Sequence, residues 1–235
     1  MSADSLVLGI SCTMSDGAIA LLRGSKVLLA TPIGPKGVHN KIALKSALAA
    51  LAANGFTLHD VDAFAADVGP GSFTGIRIAL SLSRALAWSL SKAALPVFSL
   101  DVLARAAVRT IPDLPAAFAV GLDARKDFIY FALYDSGPDG PTRRAGPDLV
   151  EFGRLTEVVP DGAGLVGTGF ARMVEGNRMV VSSDPPYVPE DFAAAVASAM
   201  AAGASTDWKG LAPLYLRRAD AEDVLDRKNR QANEA

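Results

Sequence analysis

Short apolar runs separated by turn residues fill the first thirty positions of the chain. Three of these runs have the length of a strand, and the sequences MSDG and RGS that join them have the composition of turns. Joins this short favour antiparallel pairing between consecutive strands. We therefore predict three strands at 6–11, 18–22 and 26–30.

The pattern then changes to an alternation of helical and strand-like segments. Leu44, Leu48 and Leu51 have helical spacing within 38–53, and Gly55 follows as a helix stop. The next segments are predicted in the order strand, helix, strand, helix, at 61–68, 74–90, 97–100 and 101–109. Alternating strands and helices after an antiparallel opening predict an α/β fold, with a mixed sheet and helices packed on its faces.

The second half of the chain begins as the first half does. VGLDARKDFIYFALY at 120–134 can be laid over LGISCTMSDGAIALL at 8–22, which places Gly121 112 residues after Gly9. This spacing indicates a duplicated lobe, although chance similarity between two apolar hairpins is the alternative. The sequence SGPDGPTRRAGP, residues 136–147, is typical of a long exposed turn, and a helix is predicted at 190–202.

These segments divide the chain into three parts. We predict a first lobe at 1–110 that carries the interface helices, a second and degenerate lobe at 111–218, and a charged tail at 219–235. The tail is nearly devoid of large apolar residues and is expected to be solvated.

Composition excludes several classes of function. The 23 basic and 25 acidic residues form no long basic run, which disfavours direct binding to nucleic acid. The amino terminus lacks the features of a signal peptide and no run of 18 apolar residues occurs, so we expect a cytoplasmic protein without membrane contact. Cys12 is the single cysteine and only His39 and His59 accompany it, so neither a disulfide nor a metal site is expected. Cys12 is predicted to be a small buried residue.

A glycine-rich loop precedes the helix predicted at 74–90. No lysine lies between Gly69 and Lys92, which excludes a G-x-x-x-x-G-K-[ST] phosphate loop, and the glycine spacing fits a dinucleotide-binding turn poorly. Two hypotheses remain. In the first, the free amides at the helix start face an anion. In the second, the glycines only permit a tight reversal and Thr74 caps the helix. The candidate anion-loop or nucleotide-loop residues are Gly69, Gly71, Ser72, Thr74, Gly75 and Arg77.

The helix at 74–90 is apolar on nearly every side. A helix that packs only on a sheet keeps a polar outer face, so both faces of this one are expected to be covered. Small residues recur on it and on the earlier helix, which allows close approach by another helix. The two helices either pack on each other within the lobe or form a protein interface. The candidate partner-binding residues are His39, Ile42, Ala43, Ala47, Ala50, Ile76, Ala79, Leu80, Ser83 and Ala87.

Five blocks in order resemble the TsaB family of the bacterial tRNA threonylcarbamoyladenosine machinery. They are His39, GPGSFTGIRIALSLSRALA, GLDARKDFIYFALY, LVGTGF and APLYLRR. The resemblance implies an actin-like (ASKHA, ribonuclease-H-like) fold of two related lobes with mixed sheets and flanking helices. It also implies a non-catalytic subunit that partners TsaD, the protein that transfers threonylcarbamoyl to the adenosine beside the anticodon.

The resemblance implies further partners and a mode of assembly. The ATPase TsaE joins the larger complex, and tRNA is reached only through that complex. Members of the family dimerise through the two helices of the first lobe, with TsaD or, when alone, with a second copy of themselves.

One position departs from the family pattern. The family's first strand usually ends in aspartate where this chain has Ser11, whereas Asp123 keeps the matching position of the second lobe. Unaided ATP hydrolysis is therefore not expected and no cofactor is required, while ATP or ADP at the junction with TsaD stays open. The alternative function is an actin-like metallopeptidase of the glycoprotease type. Because His39 and His59 are 20 residues apart, no H-E-x-x-H motif exists, and His39 is expected to cap the first helix instead.

Overall fold

The computed structural model describes residues 1–2, 4–13, 15–175, 180–182 and 185–216, with the backbone alone at 172–175 and 180–182. The first part of the chain forms β1 Leu6–Ser11, β2 Ala18–Arg23, β3 Lys26–Thr31, α1 His39–Ala53, β4 Ala63–Asp67, α2 Phe73–Ser89, β5 Ala93–Val97 and α3 Ser99–Thr110. The second part forms β6 Ala117–Asp123, β7 Phe128–Asp135, β8 Thr142–Glu151, α4 Leu155–Val158, β9 Gly164–Val166, β10 Val180–Ser182 and α5 Pro189–Ala201. Short 3₁₀ segments lie at Leu58–Asp60, Phe152–Arg154 and Thr168–Glu175.

Two five-stranded mixed sheets repeat one arrangement. Their strand orders are β3-β2-β1-β4-β5 and β10-β9-β6-β7-β8. In each sheet the central strand, β1 or β6, pairs antiparallel with the next strand and parallel with a later one. The duplicated-lobe α/β fold predicted from the sequence is therefore confirmed.

The glycines that aligned the two halves have the same structural role. A Cβ atom on Gly9 would lie 3.0 Å from the Phe192 ring, and one on Gly121 would lie 2.6 Å from the Phe170 ring. Each glycine thus leaves room for an aromatic side chain to pack on the middle of its sheet. Gly9 and Gly121 therefore occupy matching positions in the two halves of the sequence because both positions have the same packing requirement.

The helices are distributed unequally between the sheets. Helices α1 and α2 cover one face of the first sheet, and α5 covers its other face through Phe192 and Val196. Helix α3 lies between the sheets, where Leu100 and Leu103 pack against Phe118 of β6. Because α5 belongs to the second half of the sequence, the predicted segment 111–218 contributes to the core of both lobes.

Two segments differ from their predictions. The strand expected at 97–100 lies at Ala93–Val97, because Ser99 begins α3. The turn expected at 136–147 is shorter, because β8 starts at Thr142. β8 is an edge strand whose register against β7 shifts around Leu133, and an edge tolerates the glycine and proline that suggested a turn.

The tail predicted at 219–235 lies outside the described residues. Among the described residues, every helix is too short or too polar to cross a membrane.

Candidate functional site

The loop between β4 and α2 brings the start of α2 into contact with the end of β1. Gly69 has a φ of +97°, which favours glycine. A Cβ atom on Gly75 would lie 2.0 Å from the carbonyl oxygen of Cys12, so only glycine permits this helix to approach so closely. Both observations favour the hypothesis of a tight reversal.

Ser72, rather than Thr74, caps α2. The Ser72 hydroxyl accepts a hydrogen bond from the Gly75 amide at 3.2 Å, while the Thr74 side chain is exposed. Arg77 stacks on the Phe73 ring at 3.8 Å and donates through Nε to the Tyr215 hydroxyl at 3.2 Å. The proposed capping role of Thr74 is therefore wrong, and anion binding by this loop stays a prediction.

A buried carboxylate at the end of β4 organises the loop. Asp67 is fully buried. Its Oδ1 accepts from the Gly69 amide at 3.0 Å and from the Ser99 hydroxyl at 2.6 Å. Its Oδ2 accepts from the Ser11 hydroxyl at 2.9 Å and from the Thr13 hydroxyl. Burial raises the pKa of Asp67, and the four hydrogen bonds oppose part of that rise.

Sequence reasoning missed Asp67 because its partners are far apart along the chain. Ser11 and Asp67 are 56 residues apart and meet because β1 and β4 run parallel, so that both strands end at the same edge of the sheet. The sequence did contain a signal for this cluster, because the polar residues Ser11 and Asp67 each end an apolar strand. Ser11, noted for replacing the family's aspartate, is thus a donor to another aspartate.

Cys12 and Tyr187 have polar atoms in this same region. Burial and the charge of Asp67 raise the pKa of the Cys12 thiol to about 12, so the thiol stays protonated at neutral pH. Cys12 is 2% exposed, which confirms that it is a small buried residue. The Tyr187 hydroxyl oxygen is buried beside the Ser11 side chain, and burial raises the pKa of Tyr187.

The predicted partner-binding residues face inward. Nine of the ten are buried within this chain, and Ile42 is half-buried. The small residues bring α1 and α2 close to the first sheet, as where the Ser83 hydroxyl donates to the Ala65 carbonyl. These nine therefore do not form an exposed surface, because the sheet and not a partner occupies the side of the helix they share. They are His39, Ala43, Ala47, Ala50, Ile76, Ala79, Leu80, Ser83 and Ala87.

Other residues of the same helices are exposed. Leu44 and Leu48 of α1 are 44% and 42% exposed, and Trp88 of α2 is 65% exposed. We define the outer helix face as the exposed residues Lys41, Leu44, Lys45 and Leu48 of α1 and Arg77, Ser81, Ala85 and Trp88 of α2. None of these eight residues is among the ten that the sequence analysis proposed for partner binding, so the location of an interface on these helices stays a prediction.

A later segment of the chain covers one flank of α2. Tyr215 stacks on Phe73 with ring centroids 5.4 Å apart, and Trp208 meets Trp88 edge-on at 6.4 Å. Segment 205–216 therefore shields part of α2, while Leu44 and Leu48 of α1 stay exposed.

The second lobe places Asp123 at the corresponding strand end. Asp123 is exposed, and its carboxylate accepts from the Arg125 amide at 2.9 Å. It lines a cavity of about 130 Å³ together with Asp127, Phe152 and Thr168. The two strand ends thus differ, with a carboxylate buried in the first lobe and one open to solvent in the second.

The two histidines are apart and differently placed. His39 is buried, and its Nε2 lies 2.7 Å from the Gly34 carbonyl oxygen, to which it donates. Val38 is the N-cap of α1, so the expected capping role of His39 is wrong. His59 lies exposed in the 3₁₀ segment after α1. Within the described part of the chain, no three His, Cys, Asp or Glu residues are grouped to hold a metal.

The two mixed sheets have the same topology, and in the first sheet a glycine-containing reversal follows the parallel strand β4. These features define an actin-like α/β protein of the ASKHA class. A family model described as TsaD: tRNA N6-adenosine threonylcarbamoyltransferase matches residues 35–221, well over half of the chain. The chain belongs to this family and is TsaB-like, or YeaZ-like, within it.

Three relatives illustrate the similarity. A Haemophilus influenzae protein named tRNA threonylcarbamoyladenosine biosynthesis protein TsaB is 34% identical over 52% of this chain and 54% of its own length. The Bacillus subtilis protein of the same name is 29% identical over 74% of this chain and 69% of its own. The crystal structure of an uncharacterized Pseudomonas aeruginosa protein with similarity to peptidase YeaZ superposes with a TM-score of 0.76. It is 26% identical and covers 91% of this chain and 100% of that one.

The matches with the first curated relatives span little more than half of their length. The shares are 54% of the Haemophilus influenzae protein and 57% of a Sphingopyxis alaskensis tRNA N6-adenosine threonylcarbamoyltransferase.

Replacing Gly75 by alanine tests the close approach of α2 to β1. Because the new Cβ would meet the backbone oxygen of Cys12, we expect Gly75→Ala to lower the free energy of unfolding by about 3 kcal/mol. Urea unfolding followed by circular dichroism measures the change. Gly153→Ala is the control, since a Cβ there meets open space and stability should be nearly unchanged. Equal stability of the two variants would contradict the proposed contact.

Replacing Asp67 separates its charge from its hydrogen bonds. Its pKa is higher in the folded protein than in the unfolded chain, so the folded state holds more protons and loses stability as the pH rises from the ordinary value of 3.8 through the raised one. Asp67→Asn removes this charge. We therefore expect its stability, relative to the wild type, to improve as the pH rises over that range.

Asp67→Ala is the matched comparison. It leaves the donors of Ser11, Gly69 and Ser99 without their acceptor, and we expect a loss of about 3 kcal/mol. Urea unfolding between pH 4 and pH 8 measures all three proteins. If Asp67→Asn and the wild type respond identically to pH, the carboxylate is not the source of the dependence.

Proposed function

We propose that this chain acts in tRNA threonylcarbamoyladenosine biosynthesis as a subunit that binds TsaD. It supports the transfer of threonylcarbamoyl to the adenosine beside the anticodon, and TsaD performs the chemistry. Membership in the family and the names of the Haemophilus influenzae and Bacillus subtilis relatives support the process.

The outer helix face is the observation that carries the binding role. Leu44 and Leu48 lie one turn apart on α1, and both keep more than two fifths of their surface exposed. Large aliphatic side chains in contiguous exposed positions are typical of an interface. The most exposed aromatic residue among the described ones, Trp88, extends the same face on α2, and tryptophan is enriched at the centres of interfaces.

A supporting rather than catalytic role agrees with the polar cluster of the first lobe. Asp67 accepts hydrogen bonds from two side chains on one oxygen and from a side chain and an amide on the other. A carboxylate satisfied on both oxygens by its own chain is poorly placed to coordinate a nucleotide-bound metal. At the end of β1, Ser11 provides a hydroxyl donor in the position where coordination of such a metal would need a second carboxylate.

Further partners follow from the same proposal. TsaE joins the assembly, and tRNA reaches this subunit through the complex in the cytoplasm. The chain requires no cofactor, and the junction with TsaD is the place at which ATP or ADP can bind. Arg77 lies at the start of α2 on the outer helix face, so it is the residue of the glycine loop that is best placed at such a junction.

Introducing a charge at Leu48 tests the binding role. An aspartate at this exposed position leaves the fold intact but is buried without a partner when TsaD binds, at a cost of several kcal/mol. We expect Leu48→Asp to lose co-purification with the cognate TsaD and to lose support for tRNA modification in a reconstituted reaction. Thermal unfolding should stay as in the wild type.

Val158→Asp is the matched control for this experiment. Val158 is 38% exposed on α4 of the second lobe, and its replacement should leave TsaD binding intact. Ala79 is unsuitable for the test, because it is fully buried and a charge there would disturb folding. Retention of TsaD by Leu48→Asp with normal modification would refute an interface on this face.

A further inference from the structure

Segment 205–216 returns to the first lobe after α5, and its two halves are attached there in different ways. The first half, 205–211, which we call the anchor, forms a short antiparallel bridge to β5. The Thr206 amide donates to the Ala94 carbonyl and the Ala94 amide donates to the Thr206 carbonyl, each at 2.8 Å. Leu211 is fully buried in the core of the lobe. Backbone pairing and apolar burial therefore fix the anchor.

The second half, 212–216, which we call the latch, makes more exposed contacts. The Leu214 amide donates to the Val68 carbonyl at 2.9 Å, and the Leu214 side chain is only partly buried. Tyr215 stacks on Phe73 and is itself 47% exposed. Contacts that water reaches open at a lower free-energy cost than those of a core. The latch is thus the half of the segment that opens more easily.

The latch determines the surroundings of Arg77. The Arg77 guanidinium lies 3.8 Å from the centre of the Phe73 ring, and its Nε donates to the Tyr215 hydroxyl at 3.2 Å. The Phe73 and Tyr215 rings are 5.4 Å apart, so the guanidinium and the two rings form one cluster. While this cluster is intact, one N–H group of Arg77 is engaged and part of the Phe73 ring is covered.

The latch also contacts the loop that precedes α2. The Val68 amide donates to the Val97 carbonyl of β5 at 2.8 Å, and the Val68 carbonyl accepts from Leu214. Val68 is therefore held by β5 on one side and by the latch on the other. The neighbouring Asp67 accepts its hydrogen bonds from other segments, so opening the latch leaves the buried polar cluster in place.

We infer that residues 212–216 open and close over the start of α2 while the anchor stays in place. In the closed state, Tyr215 positions Arg77 and covers Phe73. In the open state, the Arg77 guanidinium and the Phe73 ring are available to another molecule, and Val68 loses its bond to Leu214. This device controls access to Arg77. It goes beyond the proposed function, because it does not depend on where TsaD binds.

Hydrogen exchange of single amides, measured by NMR on the full chain, tests whether the two halves open separately. The Leu214 amide reports on the latch and the Thr206 amide reports on the anchor, since each donates to a backbone carbonyl of the first lobe. We expect the protection factor of Leu214 to be about tenfold lower than that of Thr206, or lower still. Equal protection factors would show that the segment opens as one unit, and the inference would then be wrong.

Two substitutions of Tyr215 separate its ring from its hydroxyl. Tyr215→Phe keeps the ring and removes the acceptor of the Arg77 Nε–H, so exchange of that proton with water should rise about fivefold while Leu214 changes little. Tyr215→Ala also removes the ring, and the protection factor of Leu214 should fall about tenfold. In both variants the protection factor of Thr206 and the thermal unfolding should stay as in the wild type.

The variants give three results that would contradict the inference. The first is a loss of protection in Tyr215→Ala that is equal at Thr206 and Leu214, and the second is no loss at Leu214. The third is an Arg77 Nε–H that exchanges at the same rate in Tyr215→Phe and the wild type, which would refute the positioning role of Tyr215. If Tyr215→Ala does not fold, the wild type and Tyr215→Phe still decide. Because every measurement uses this chain alone, none of these results affects the proposed function.

Discussion

Close packing of α1 and α2 on the first sheet is the constraint on which the rest of the structure depends. Alanine, serine and glycine on the inner sides of these helices let their backbones approach the strands, and Gly75 brings α2 against the Cys12 carbonyl. Ile76 and Leu80 fill the inner side of α2, while Leu44, Leu48 and Trp88 lie on the outside. The close fit of the inner sides fixes which residues of α1 and α2 face outward, and this connects the core of the lobe with its proposed role in binding.

The polar cluster around Asp67 is the second consequence of that packing. The carboxylate lies where β1, β4 and the start of α3 meet, and its hydrogen bonds join Ser11, Gly69 and Ser99. Open α/β sheets commonly bind ligands at the carboxyl ends of their strands. In the first lobe, the polar groups at this edge hydrogen-bond to one another instead.

Helix α3 and its neighbours connect the two lobes. The Tyr134 hydroxyl of β7 donates to the Asp101 carboxylate at 2.8 Å, and Arg143 of β8 lies 3.3 Å from the same carboxylate. Burial raises the pKa of Asp101, and the charge of Arg143 opposes that rise. Together with the packing of α5 on the first sheet, this partly buried network joins the two lobes.

The amino-acid sequence by itself determined the order of strands and helices in the first lobe, the duplication marked by Gly9 and Gly121, and the family. These properties depend on local periodicity and on motifs, which are readable along the chain. The tertiary structure alone decided which side of α1 and α2 is buried, because apolar residues lie on both sides and only the position of the sheet distinguishes them. It also decided the partners of Asp67, because residues 56 apart meet only through the register of parallel strands.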